Sequence, residues 1–263
     1  MAPTTDGGSS ESATPTDPND AAWRRFLAGE QSGSDEICTL YGPLVGAPGR
    51  VAIGQLGQSL DGFIAARTGD ACFVTGEADR RHLHRLRALV DAVVIGWRTV
   101  RNDDPRLTVR AVEGGNPARV VLDPEARMPR TSGILHDGAA PTLWVVDAGT
   151  AVDEPIADHV QVIRVDDLRE RPPSDLLDLL AARGLERVLI EGGGVTISRF
   201  VQARALDWLY LTTAPMLIGD GIPGIRFDGE DRLADALRGR VRRFTLGDDI
   251  CTEFDFGSAS TTA

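Results

Sequence analysis

Short apolar runs alternate along this chain with segments whose apolar residues recur three and four positions apart. Consecutive apolar residues over a few positions predict buried strands, and helical spacing predicts amphipathic helices. One helix is predicted over Gly76–Val90, and a second follows Ser174, which we expect to cap it, and ends at Gly184. The predicted strands are Val51–Leu56, Ala92–Ile95, Val120–Leu122, Leu143–Val146, Val160–Val165 and Val188–Ile190. This order predicts an α/β fold with a largely parallel sheet.

The last part of the chain has strand character without intervening helices. Leu206–Thr213 is followed by Val241–Leu246 and Ile250–Phe256, and Gly247-Asp248-Asp249 joins the last two as a hairpin. An antiparallel hairpin at the end of a parallel sheet predicts a mixed sheet with flanking helices.

Composition divides the chain into four segments. Residues 1–18 are mainly Ser, Thr, Pro, Gly and Asp, so we expect a disordered tail, and we expect another at 258–263. Residues 19–49 form an N-terminal extension that ends in a Gly/Pro linker from Gly42 to Gly49. The main domain is expected over 50–257.

Charge and composition exclude several classes of function. The net charge of −11 argues against binding of nucleic acid or of an anionic membrane, because both need a concentrated basic face. The chain contains no lysine, which excludes Schiff-base chemistry and the lysine of a phosphate-binding loop. No stretch approaches 18 apolar residues, so we expect a soluble, cytoplasmic protein.

Cysteine and histidine usage predicts neither disulfides nor a metal site. The three cysteines are far apart and form no Cys-x-x-Cys pair. His82 and His84 lie two residues apart on the predicted helix and therefore point to different faces.

A glycine-rich turn follows the Val188–Ile190 strand. Glu191 ends the strand, and Gly192, Gly193 and Gly194 lead into a helix that continues through Val195 and Thr196. Without a Cβ, the backbone allows an anionic group to approach the positive end of the helix. A plain tight turn with a solvated glutamate is the alternative.

A second charged segment, Arg98–Arg110, follows the Ala92–Ile95 strand. It contains four arginines together with Asp103 and Asp104. A solvated loop is the ordinary interpretation of such a run. This segment and the glycine-rich turn nevertheless both follow the carboxyl ends of buried strands. Together they predict a pocket for a phosphate and for polar hydroxyl groups.

Gly219-x-Gly221-x-x-Gly224 matches the dinucleotide-binding pattern only in its letters. Pro223 interrupts it and no βαβ unit follows, so we interpret it as a surface loop.

Taken together, nine motifs resemble the reductase domain of bifunctional riboflavin-biosynthesis proteins over residues 50–256. They are Gln58-Ser-Leu-Asp-Gly62, Leu86-Arg87-Ala88, Asp91-Ala92, Gly96-x-x-Thr-Val100, Asp103-Asp104-Pro105-Arg106-Leu107-Thr108-Val109-Arg110, Val121-Leu-Asp123, Glu191-Gly-Gly193, Ala214-Pro215 and Gly247-Asp248-Asp249. The resemblance implies a dihydrofolate-reductase-like, three-layer fold and a homodimer. It also implies that NADPH reduces the ribosyl group of a 5-amino-6-(5-phosphoribosylamino)uracil.

The resemblance also implies residue roles. Substrate would contact Arg87, Leu107, Arg110 and Glu191. NADPH would contact Gly57, Thr75, Thr99, Asp103 and the turn from Gly192 to Thr196. No histidine or tyrosine lies in the matched motifs, so Asp103, Glu191 or a bound water must act as the proton donor.

Three departures from the family pattern keep other interpretations open. The zinc deaminase signature is absent, so we expect a stand-alone reductase. Gln55 replaces a common lysine, and Ala71 replaces a common substrate-binding serine. The alternatives are a reductase of another heterocycle, such as dihydrofolate or a pathway-specific pyrimidine, and a non-catalytic NADP-binding protein.

Two further expectations concern cofactor choice and assembly. The arginines Arg98, Arg101 and Arg199 favour NADPH over NADH, because the 2′-phosphate offers a charge-assisted contact. Trp208 and Tyr210 are candidate anchors of a dimer interface.

Overall fold

The computed structural model describes residues 19–30, 35–72, 74–152 and 157–257. The predicted disordered tails, 1–18 and 258–263, lie outside these residues. Contacts divide the chain into two compact units, 1–43 and 44–263. Two helices come first, α1 (Asp20–Leu27) and α2 (Glu36–Gly46). Within the first unit, the ring of Trp23 lies 5.8 Å from that of Phe26 and 5.6 Å from that of Tyr41.

The prediction of a linker from Gly42 to Gly49 is wrong for the residues up to Gly46. Helix α2 continues through Gly42 and Pro43 to Gly46. Ile37, Leu40 and Tyr41 of this helix are buried. Burial of an apolar helix face outweighs the weak intrinsic propensity of glycine and proline.

The second unit is built on a nine-stranded sheet with the order β10-β11-β8-β1-β7-β3-β4-β5-β6. Its strands are β1 (Val51–Ser59), β3 (Ala92–Gly96), β4 (Ala118–Leu122), β5 (Thr142–Asp147), β6 (Val160–Val165), β7 (Arg187–Ile190), β8 (Trp208–Ala214), β10 (Arg240–Leu246) and β11 (Asp249–Asp255). The helices are α3 (Glu77–Ala88), α4 (Trp97–Asp103), α5 (Pro173–Ala181) and α6 (Gly194–Gln202), with a 3₁₀ turn at Gly133–Leu135.

The sheet is mixed and mostly parallel. Strands β8, β1, β7, β3, β4, β5 and β6 pair in parallel, whereas β10 and β11 run antiparallel to each other and β11 runs antiparallel to β8. Strand β1 pairs with β7 from Val51 to Gly54 and with β8 from Ile53 to Ser59. The expected α/β fold with an antiparallel C-terminal hairpin is confirmed.

The strands are apolar because helices cover the sheet. Val188, Leu189 and Ile190 of β7 are fully buried, and parallel strands covered on both faces have continuous apolar runs for this reason. Helices α5 and α6 contribute Leu176, Leu177, Leu180, Ile197, Phe200 and Val201 to one core with the sheet.

Two local predictions need correction. Pro173 begins α5, so Ser174 lies inside the helix and its hydroxyl donates to the Asp175 carboxylate rather than capping. Proline suits the first helical position because it lacks the N–H that would be unpaired there. The charged segment Arg98–Arg110 begins within helix α4 rather than as a loop. The helix ends before Asp104, which has a left-handed φ of 39°.

The Gly219–Gly224 segment is not a surface loop. Its residues Gly221–Pro223 form strand β9, which pairs antiparallel with β2 (Phe63–Ala66) in a second, small sheet. A Cβ on Gly221 would lie 2.1 Å from the carbonyl oxygen of Ala65. Close backbone contact explains this glycine, and the rejection of a dinucleotide turn here is confirmed because a strand pair takes its place.

Candidate active site

A cleft of about 900 Å³ lies where the β3 and β7 strands end. Open α/β sheets bind ligands at the carboxyl ends of their strands because the loops there diverge. The cleft is lined by Gln55, Gly57, Ala71, Thr75, Arg87, Thr99, Asp103, Leu107, Glu191, Gly192, Gly193, Gly194, Val195 and Thr196. Of the residues predicted for the site, Arg110 lies outside this lining.

The glycine turn brings the start of helix α6 to the cleft. Gly193 is the residue before the helix, with φ −61° and ψ 151°, and no side chain caps the helix. Its backbone N–H donates to the Thr99 hydroxyl at 3.2 Å. The first N–H groups of an uncapped helix, together with the helix dipole, attract an anion.

The three glycines of this turn have different structural reasons. Gly192 has a φ of 95°, which favours glycine. A Cβ on Gly194 would lie 2.1 Å from the carbonyl oxygen of Gly224. A Cβ on Gly193 would have Thr99 Oγ1 as its nearest neighbour, at an ordinary 3.6 Å. The fold itself therefore does not require glycine at position 193.

Arg87 and Glu191 form a buried, bidentate ion pair in the cleft. Arg87 Nε donates to Glu191 Oε1 and Nη2 donates to Oε2, both at 2.7 Å. The two side chains are 7% and 6% exposed. Burial lowers the pKa of Arg87, but the charge and hydrogen bonds of Glu191 outweigh it, so the net shift is upward. Arg87 Nη1 donates to the Thr108 carbonyl at 3.1 Å, which fixes the guanidinium plane.

Arg110 joins this pair electrostatically. Partial burial and then the neighbouring charges of Arg87 and Arg106 lower the pKa of Arg110, whereas Glu191 raises it. Its backbone N–H donates to His84 Nδ1 at 3.2 Å. Arg87 and Arg110 both interact with Glu191, and Arg106 interacts with Arg110, so three arginines and one carboxylate leave this region with net positive charge, which suits a phosphate.

Asp103 is followed by a strained segment that runs from Asp104 to Leu107. Asp104 and Leu107 have φ values of 39° and 55°, which non-glycine residues rarely adopt. Leu107 is buried, whereas Asp103 is exposed at the end of α4. Desolvation raises the pKa of Asp103. The Asp104 carboxylate accepts a hydrogen bond from the Gly133 backbone N–H at 2.8 Å and anchors the turn.

Sequence reasoning missed Asp79, a buried carboxyl group that lines the cleft. Its Oδ1 accepts a hydrogen bond from the Thr212 hydroxyl at 2.6 Å, and it also bonds to Thr75 and Gln55. Burial raises the pKa of Asp79, and these hydrogen bonds offset only part of that effect. Asp79 lies four residues before Leu83, and this helical spacing could have placed it on the apolar face of α3.

Gly57 allows β1 to approach this polar group closely. A Cβ on Gly57 would lie 2.7 Å from Thr75 Cγ2 and 3.5 Å from Asp79 Oδ2. Gln55 is buried beside it, and Ala71 is exposed at the rim. An amide therefore stands at the cleft wall where the family resemblance leads us to expect a lysine.

The arginines near the helix differ in their availability. Arg199 Nη2 donates to the carbonyl oxygens of Leu168 and Arg171, and desolvation lowers the pKa of Arg199. Arg98 is exposed, lines the cleft and stacks over Trp97 at 5.1 Å. Arg101 also stacks over Trp97 but does not line the cleft. Arg98 is therefore better placed than Arg199 or Arg101 to reach a ligand.

Residues 50–251 match the family model of the RibD C-terminal domain. This chain belongs to that family. Among its relatives, the 2,5-diamino-6-ribosylamino-4(3H)-pyrimidinone 5′-phosphate reductase of Methanothermobacter thermautotrophicus is 37% identical over 206 residues, covering 75% of this chain and 94% of that protein. The riboflavin biosynthesis protein RibD of Bacillus amyloliquefaciens is 36% identical over 176 residues, covering 65% of this chain and 47% of that protein.

Solved structures agree with the RibD C-terminal domain assignment. Acinetobacter baumannii RibD matches with a TM-score of 0.69 and 26% identity, covering 83% of this chain and 62% of that one. The Thermotoga maritima deaminase/reductase matches with a TM-score of 0.67 and 24% identity, covering 84% and 60%, which supports the fold alone. The predicted reductase family and its dihydrofolate-reductase-like fold are confirmed.

The structure also bears on one of the two candidate dimer anchors. Tyr210 is 1% exposed and its ring packs against His82 at 5.1 Å, so it is unsuited to anchor an interface between subunits. Among the described residues, no group of three or more His, Cys, Asp or Glu could hold a metal ion. No helix within the described part of the chain is long and apolar enough to cross a membrane.

Proposed function

We propose that this protein is an NADPH-dependent reductase of a phosphorylated ribosylamino-pyrimidine of the 5-amino-6-(5-phosphoribosylamino)uracil type. The observation that carries the proposal is that a single cleft contains both an uncapped, glycine-rich helix start and the buried pair of Arg87 and Glu191. The family membership of the chain supports the same reaction class.

The residues of the cleft fit a dinucleotide. The pyrophosphate would bind the N–H groups of Gly194 and Val195, with Gly193 giving it room. The Thr196 N–H already donates to the Gly193 carbonyl oxygen at 3.1 Å, so Thr196 would contribute its side chain at the cleft wall. Thr99 orients the turn through its bond to Gly193, and Gly57, Thr75 and Asp103 would complete the cofactor site. Bound NADPH supplies a hydride, and the protein contributes binding, orientation and a dry cleft.

The substrate site would be formed by Arg87, Leu107, Arg110 and Glu191. The positive charge of the arginine group suits the 5′-phosphate, and the Glu191 carboxylate accepts hydrogen bonds from ring or ribose groups. Arg87 is already bound to Glu191, so we assign it mainly to holding that carboxylate in place. Arg110 lies outside the cleft lining, where its Nη1 donates to Thr108 Oγ1 at 3.5 Å, and it interacts electrostatically with Glu191. We assign the phosphate contact to Arg110 from this position beside the cleft.

Cofactor choice is a finer part of the proposal. We assign preference for NADPH over NADH to Arg98, whose guanidinium is exposed beside the cleft on the ring of Trp97. A guanidinium fork binds a phosphate through two hydrogen bonds. We also propose a cytoplasmic homodimer, an expectation that the family resemblance motivates.

Gln55 favours a second candidate, the reduction of a different heterocycle. Its neutral amide is bound to Asp79 at the cleft wall, so the cleft lacks a cation at this position. A non-catalytic NADP-binding protein is less well supported, because the buried pair of Arg87 and Glu191 is intact.

Purified protein, NADPH and a panel of heterocycles test the proposal directly. We expect NADPH oxidation with the phosphorylated ribosylamino-pyrimidine and a ribitylamino product that is heavier by two hydrogens on mass spectrometry. Turnover of dihydrofolate or another pyrimidine alone would favour the second candidate. NADPH binding without turnover of any compound would contradict a reductase.

A further inference from the structure

The cleft holds two buried carboxyl groups in opposite surroundings. Glu191 faces the guanidinium of Arg87 through two hydrogen bonds of 2.7 Å. Asp79 faces hydroxyl and amide groups, and within the described residues no arginine forms an ion pair with it. Two carboxyl groups with different partners can play different parts in one active site, one as an acid and the other as a hydrogen-bond acceptor.

We propose that Asp79 is the proton donor of the reduction and that Glu191, held in place by Arg87, orients the substrate. This inference rests on the proposed function. Both carboxylate oxygens of Glu191 already accept hydrogen bonds from Arg87, which suits Glu191 to accept rather than to donate. Asp79 is 3% exposed yet lines the cleft, so the same burial that excludes bulk water favours its neutral form.

The groups around Asp79 come from four elements. Gln55 lies on β1, Thr212 on β8, Asp249 and Cys251 on β11, and Thr75 and Arg80 next to or on α3. Burial is the main cause that raises the pKa of Asp79, and among the described residues the charge of Arg80 has a smaller, lowering effect. Burial also raises the pKa of Asp249, with a contribution from the charge of Asp79. Asp249 therefore does not favour the ionised form of Asp79.

The chemistry requires one proton for each hydride. On a ribosylamino-pyrimidine, the bond between ribose C1′ and the ring oxygen breaks while the exocyclic nitrogen forms a double bond to C1′. The ring oxygen takes the proton from Asp79 and becomes a hydroxyl. C1′ then receives the hydride from the nicotinamide cofactor, the nitrogen returns to an amine, and Asp79 regains a proton from water.

Gln55 has a defined place in this arrangement. A lysine at position 55 would put a cation against Asp79, favour its ionised form and remove the acid. An amide bonds to the carboxyl without adding charge. Gln55 is therefore compatible with a protonated Asp79.

The test compares Asp79→Asn with Asp103→Asn and Asp249→Asn. Asparagine keeps the shape and most hydrogen bonds of aspartate but cannot donate an acid proton. We expect Asp79→Asn to lower kcat by about 100-fold or more, the ordinary size of general-acid catalysis, while the Kd for NADPH and the Tm stay close to wild type. The wild-type kcat should be constant at low pH and decline as the pH rises through the raised pKa of Asp79, and the variant should lack this decline.

The two comparison variants separate Asp79 from the other carboxyls with raised pKa values. Asp249 is buried near Asp79 but does not line the cleft, so Asp249→Asn should keep both the rate and the decline at high pH. Asp103→Asn should weaken NADPH binding but keep the decline. Loss of the decline in Asp103→Asn, or its retention in Asp79→Asn at a near-normal rate, would overturn the inference.

A readout without turnover uses carbon-13 NMR of the carboxyl groups in the free protein. The signal that disappears in Asp79→Asn should titrate above the ordinary value of 3.8. Titration of this signal at or below 3.8 would overturn the inference whatever the substrate is. If the wild-type protein does not reduce the pyrimidine but the Asp79 signal titrates above 3.8, the result would contradict the proposed function. It would also contradict proton transfer from Asp79 to that substrate.

Discussion

Replacement of Gly193 separates ligand binding from folding more cleanly than any other change in the glycine turn. The residue has φ −61° and ψ 151°, which any amino acid adopts. A Cβ there would contact only Thr99 Oγ1, at 3.6 Å. Gly193→Ala therefore adds one methyl group in open space on the side from which the pyrophosphate would approach.

Gly193→Ala should change the free energy of unfolding only slightly and should weaken the binding of NADPH much more. Alanine reduces the freedom of the unfolded chain, which stabilises by about 0.4–1 kcal/mol, and is a poorer residue before a helix by a few tenths. The stability should thus change by less than about 1 kcal/mol. The cofactor must move away from the helix N–H groups, and the loss of one or two charge-assisted hydrogen bonds, each about 1.5–3 kcal/mol, weakens Kd by tenfold or more.

Gly194→Ala is the matched control, since its Cβ would lie 2.1 Å from the Gly224 carbonyl oxygen. Overpacking against backbone costs about 1–3 kcal/mol, which lowers the Tm by several degrees in a domain of this size. Fluorescence titration with NADPH and thermal unfolding without ligand give the two quantities. Unchanged NADPH affinity in a folded Gly193→Ala protein would refute pyrophosphate binding at this turn.

Three further substitutions test the rest of the cleft. Arg110→Ala should raise KM for the phosphorylated substrate and lower kcat/KM about 30-fold, a loss of about 2 kcal/mol in transition-state stabilisation. It should have little effect on the dephosphorylated analogue, and equal losses on both compounds would contradict a phosphate contact. Glu191→Gln leaves the buried Arg87 charge without its partner and should destabilise the fold by about 3–5 kcal/mol in denaturant unfolding, so an unchanged midpoint would contradict the pairing. Arg98→Ala should weaken NADPH binding and spare NADH, whereas equal weakening of both would show that Arg98 does not read the 2′-phosphate.

Local sequence patterns determined most of the secondary structure of the second unit. The Val160–Val165 strand has the predicted ends, and the Val188–Ile190 run, Glu191 and the glycine turn lie in the predicted order. Gly184 ends its helix region with a φ of 76°, as a glycine after a helix usually does. These features are predictable because the period of apolar residues and the backbone freedom of glycine act within a few residues.

Features that depend on contact between distant segments were decided by the tertiary structure. Asp79 had the local signature of a favourable charge near a helix start, and only packing of α3 against β1 and β8 makes it a buried acid. The close approach of Gly194 to Gly224 joins positions thirty residues apart, which no local pattern encodes. Arg87 was predicted to contact substrate, yet Glu191, far along the chain, takes two of its donors. Burial and pairing set the charge state of a side chain, and both arise only when the sheet brings these segments together.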